Sequence, residues 1–127
     1  DSVLHGIAYI IDSHVLGNSR DYDTWNELNP SGFHYGVGVQ YPKLLEGKTR
    51  AFVEAASMDS LTEDRRTLFQ AAMADDNEET FTSQTMQKKL RRMCEGIREA
   101  YGLEKEKVLY PWELYLNEPL MKVEYNG

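Results

Sequence analysis

Read for hydrophobic spacing, the chain offers three helical stretches and one long irregular passage. In residues 2–16 the apolar positions Val3, Leu4, Ile7, Ala8, Ile10, Ile11, Val15 and Leu16 surround most of a helical circumference. The polar residues His5, Tyr9 and Asp12 fall four and three apart, which places them on one stripe. That pattern predicts a buried helix, with Asp1 or Ser2 to cap its start and Gly17-Asn18 to stop it. The high β-branched content also suits a central strand, and Gly6 would cost a helix interior about 1 kcal/mol. Length and the single polar stripe favour the helix.

From residue 19 to residue 47 periodicity breaks down. Pro30, Gly32, Gly36, Gly38, Pro42 and Gly47 interrupt the chain, while Trp25, Leu28, Phe33, Tyr35 and Tyr41 supply anchors. This predicts a long aromatic-pinned loop of the kind that often carries function. Ser60 followed by Glu63 is a capping-box signature. A helix from Leu61 to about Ala74 follows, with Leu68, Phe69, Ala72 and Met73 on its buried face, and Asp75-Asp76-Asn77 turns the chain away. Over 82–101, Met86, Leu90, Met93, Ile97 and Ala100 step by four and three before Gly102, predicting a long helix. It is expected to pack against the helix at 2–16. Residues 111–116, PWELYL, predict a short helix with proline in its first turn, and the tail beyond Pro119 a short extended piece. The expected fold is mainly α, one domain over 1–127, with little or no sheet.

Composition narrows the partners. At 127 residues, 41% hydrophobic and 28% charged, the chain is long and apolar enough for a real core. A net charge of −7 argues against a nucleic-acid partner. The one basic cluster, Lys88, Lys89, Arg91 and Arg92, reads as a solvated helix face. No apolar run approaches the roughly 18–20 residues that cross a bilayer. Cys94 is the only cysteine and sits among Met93 and Ile97, as core filler. Trp25 and Trp112 are expected as core anchors.

Zinc sites of the HExxH type place two histidines on one helix face, with a glutamate beside the first to act on the metal-bound water. Here the corresponding run is His5-Gly6-Ile7-Ala8-Tyr9, with Asp12 three residues on. A W-x-x-LNP-x-x-F-x-Y stretch follows at Trp25, Leu28, Asn29, Pro30, Phe33 and Tyr35. An S-x-x-ED helix start occurs at Ser60, Glu63 and Asp64, and a closing block at Leu90, Cys94, Ile97-Arg98-Glu99 and Pro111-Trp112-Glu113 through Leu116. In this order the pieces resemble the zinc metallopeptidases of secreted and lipoprotein type in bacteria.

The resemblance implies the active-site helix and helical C-terminal subdomain of a zincin-like hydrolase, extracellular or at the cell surface. It implies His5 and Glu63 as remnants of a metal set, with Tyr9 at the second ligand position and Gly6 at that of the general base. Tyr9, Asp12 and Tyr35 would line the cleft, with His14 and His34 as further histidines outside the motif spacing. Glycine cannot move a proton, and a phenol must ionise from a pKa of about 10 to bind zinc well. The expectation is therefore a metallopeptidase-like domain with a degraded site, zinc lost or weak, and a cleft for peptide, protein or glycan. Such peptidases usually carry a sheet ahead of the active-site helix, which here is expected to be missing or to belong to a removed portion of a longer chain. Two other readings stay open: an active zinc endopeptidase completed by atypical ligands or another segment, and a structural interaction module of a larger cell-surface protein. Glu63 has a competing local role as the capping partner of Ser60.

Overall fold

The computed structural model describes residues 25–120. Among them the fold is mainly α: two helices joined by loops and 3-10 turns, with no strand. The predicted helix at 2–16, and its packing against the later helix, lie outside the described residues. So does most of the predicted tail after Pro119.

Helix α1 is Leu61–Met73 and helix α2 is Gln84–Ala100. Each starts where a serine supplies an acceptor. Ser60 Oγ accepts the Glu63 amide at 3.1 Å, and Ser83 Oγ accepts the Met86 amide at 3.1 Å. Helix α2 ends as its sequence predicts: Gly102 takes a φ of +67°. The Leu103 amide then reaches Arg98 O at 2.8 Å and the Gly102 amide reaches Glu99 O at 3.4 Å, the paired bonds of a Schellman ending. The helix predicted over 111–116 is only a 3-10 turn, Pro111–Glu113.

The two helices share one core. Trp25, Leu68, Phe69, Ala72, Phe81, Met86, Leu90, Met93, Cys94 and Ile97 are buried together, with Trp112, Tyr115 and Leu116 packed on their edge. Both tryptophans and the cysteine thus fill the places expected of them. A second cluster lies under the loop: Phe33, Ala51, Phe52 and Met58 are buried, with Tyr35, Tyr41 and Leu44 against them. The Phe33 ring touches Tyr35, Tyr41 and Phe52 at centroid distances of 4.9, 5.1 and 4.6 Å. The aromatic residues therefore pin the irregular passage, as large apolar rings in a glycine-rich segment should.

Candidate functional site

The first turn of α1 presents two adjacent acids that meet opposite fates. Asp64 faces inward and is fully buried, whereas Glu63 is partly exposed on the flank. A buried carboxylate needs donors and a countercharge, and Asp64 collects both from distant parts of the chain. Its Oδ2 accepts the Trp25 indole N–H at 3.1 Å, the Tyr35 hydroxyl at 2.5 Å and the Lys89 ammonium at 2.8 Å. Asn29 Nδ2 donates to the Tyr35 oxygen at 2.8 Å, extending the network outward. Lys89 also donates to Ala51 O at 2.5 Å and lies 3.8 Å from the centre of the Phe52 ring, a cation–π contact. Asp64 thus ties α1 to α2 and to the aromatic loop, and Lys89 carries the network on to Ala51.

The electrostatics follow from this burial. Desolvation lowers the Lys89 ammonium below the ordinary lysine range, with Asp64 pulling the other way. Burial and the neighbouring Asp64 charge push the Tyr35 phenol up, so it stays a donor to the carboxylate. Lys89 corrects one expectation: the basic cluster on α2 is not wholly a solvated face, because Lys89 is 0% exposed. Lys88 is exposed as expected. The signal was in the spacing, since Lys89 lies three residues after Met86 and four before Met93, on the apolar stripe. Asp64 likewise lies three after Leu61 and four before Leu68.

A second buried ion pair organises the end of α2. Arg98 makes a two-pronged contact with Glu113, Nε to Oε2 at 2.5 Å and the second terminal nitrogen to Oε1 at 2.7 Å. Its remaining donors reach the carbonyls of Leu103, Glu106 and Val108 at 3.1, 2.8 and 2.6 Å. The guanidinium also lies 5.0 Å from the Tyr110 ring centre, and that ring stacks on Trp112. Cys94 nearby donates its thiol to Trp112 O at 3.4 Å. Burial pushes that thiol well above its ordinary value, which suits a core residue and not a nucleophile.

Of the residues that the resemblance implicates, His5, Gly6, Tyr9, Asp12 and His14 lie outside the described residues. Glu63 is described, and its carboxylate is held by Arg66: Arg66 Nε donates to Oε2 at 3.0 Å and a terminal nitrogen reaches the same oxygen. The Arg66 guanidinium thus occupies one oxygen of the Glu63 carboxylate, and the histidine and tyrosine that would share a metal with it lie outside the described residues. Tyr35 has its hydroxyl turned to Asp64, within the buried network. His34 is exposed on the loop. Among the described residues no group of His, Cys, Asp and Glu side chains gathers as a metal set, and no helix is long and apolar enough to cross a membrane.

The chain matches no family model, no curated protein and no solved structure.

Proposed function

We propose that this chain is a metallopeptidase-like domain that has lost its catalytic centre and persists as a non-catalytic binding scaffold. The observation that carries the reading is the contrast between Glu63 and Asp64. In support, Trp25 and Tyr35 of the W-x-x-LNP-x-x-F-x-Y stretch bond to Asp64 of the S-x-x-ED start, and Asn29 bonds to Tyr35, so motif residues far apart in the chain share one network. The chemical part of the pattern is altered: Gly6 and Tyr9 replace the base and the second ligand in the sequence, and Glu63 is engaged by Arg66. A scaffold stabilised by its own aspartate–lysine pair needs no zinc to hold these segments together.

The test is metal analysis of the purified protein beside the double reversion Gly6→Glu with Tyr9→His. The unaltered chain should carry no stoichiometric zinc and no peptidase activity. The revertant should gain zinc, and more tightly still when Arg66→Ala frees the Glu63 carboxylate. One zinc per unaltered chain would overturn the proposal and require the ligand set to be redrawn.

A further inference from the structure

The end of α1 opposite Glu63 forms a surface groove that the reading above leaves unused. Its volume is about 570 Å³, within the range of about 300–1,000 Å³ typical of ligand sites. Met73, Pro111, Leu114 and Tyr115 form its apolar walls, and Asp75, Asp76 and Glu78 form its rim. No lysine or arginine lines it. Leu114 is 62% exposed, a large apolar side chain left in water beside three carboxylates. None of the three has an ion-pair partner among the described residues.

The groove is held open by its own bonds. Tyr115 accepts the Asn77 amide at 3.1 Å and donates to Ala74 O, fastening one wall to the turn that carries the rim. Its ring stacks on Phe81 at 5.4 Å. Asn77 Nδ2 closes the same turn onto Ala71 O at 3.0 Å. A groove fixed in advance loses little freedom when it is filled. The C-terminus of α1, the negative end of its dipole, points to the same place.

We infer that this groove docks a cationic peptide segment of another protein, seating an apolar side chain against Leu114 and Met73 while lysines or arginines meet Asp75, Asp76 and Glu78. Charge complementarity selects that occupant: an acidic or neutral peptide would fill the apolar floor but desolvate the rim carboxylates without a counterion. The overall charge of −7 also favours a cationic partner over an acidic one. The groove lies at the far end of α1 from Glu63, so this inference does not rest on the proposed metallopeptidase ancestry.

Fluorescence anisotropy on the full chain tests it, using a short labelled peptide of lysine and leucine in a three-four spacing and its glutamate–leucine counterpart. The lysine peptide should bind saturably and the glutamate peptide should not. The variant D75N/D76N/E78Q should weaken binding about tenfold or more, and Leu114→Ser severalfold. Asparagine suits position 76, where φ is +53°. The control E95Q/E99Q/E104Q makes the same change in net charge elsewhere and should alter binding less than about twofold. Equal weakening by rim and control variants, binding of both peptides alike, or no saturation with the lysine peptide would each overturn the inference. A dimer seen by sedimentation at low salt and dissolved by the rim variant would assign the groove to a second copy, overturning the foreign peptide as occupant. Should the rim variant lose its helical circular dichroism, amide shifts of the unaltered protein decide instead. Shifts on the lysine peptide at 75–78 and 114 support the site, and shifts confined elsewhere overturn it.

Discussion

The two buried ion pairs are equally dry and do different work. Lys89 and Asp64 come from positions 25 residues apart, and the other hydrogen-bond partners of the pair, Trp25, Tyr35 and Ala51, lie 39, 29 and 38 residues from the group they contact. Arg98 and Glu113 are 15 apart, and the carbonyls Arg98 binds are within 10. The first pair closes long loops and holds segments of the fold in register. The second shapes one loop. They also differ in saturation. Arg98 uses all five of its donors, whereas Asp64 loads one oxygen and leaves Oδ1 buried without a hydrogen-bond partner among the described residues. A tertiary hub can carry an orphan acceptor when a neighbouring ammonium neutralises the group. The loop clamp gathers its bonds from carbonyls close in sequence and leaves no donor unused.

Four measurements would break or sharpen that contrast. Asp64→Leu leaves the Lys89 ammonium buried beside no carboxylate and should cost about 3–5 kcal/mol of global stability in urea unfolding. Adding Lys89→Met should recover most of the loss, because an apolar replacement of both partners strands no charge. A double variant as unstable as the single one would show that the pair is not coupled. Leu90→Ala supplies an apolar yardstick from the next position on α2: it should cost about 2–5 kcal/mol by leaving a cavity. A loss under about 0.5 kcal/mol would mean this face is not core.

Arg98→Met should cost less, about 1–3 kcal/mol, because the loop can open and rehydrate Glu113. Its mark should be local, as faster tryptic cleavage at the exposed Lys105 and Lys107. Unchanged cleavage would contradict the clamp. The smallest effect is that of Tyr35→Phe, about 1 kcal/mol near neutral pH. Its pH dependence is more telling. The folded phenol stays protonated above the ordinary value of 10.0, so its contribution is present below about pH 10 and is lost as pH rises further and the unfolded chain ionises first. Lys89 acts in the opposite sense, since its folded ammonium is depressed. The Phe variant should therefore lose less stability than the parent in alkali. Parallel curves would remove Tyr35 from the buried network.

Much of the helical framework was legible from local rules. Ser60 before an apolar stripe marked the start of α1, the four-three stripe marked α2 and Gly102 its end, while the cap at Ser83 went unread. Aromatic anchors in the loop and the burial of Cys94 followed from composition and spacing. What escaped were properties fixed by remote partners. Lys89 sits in a basic run and looks solvated until Asp64 and Ala51 are known to face it. Glu63 reads as a cap or a ligand, and its spacing gave no sign that Arg66, one turn on, would hold one of its carboxylate oxygens. The useful sign was available in both helices: a charge placed on each apolar stripe, opposite in sign.

Arg98 fastens its loop by the carbonyls, and that choice has a consequence for solvent exchange. Within 103–109 the amides of Leu103 and Glu106 are bonded to backbone, while those of Glu104, Lys105, Lys107, Val108 and Leu109 meet no acceptor among the described residues. Order and protection should therefore separate here. Deuterium should enter these five amides as fast as in an unstructured peptide, while relaxation measurements find the same backbone rigid. An exchange map alone would score the loop as loose, although its shape is set by a side chain with every donor bonded.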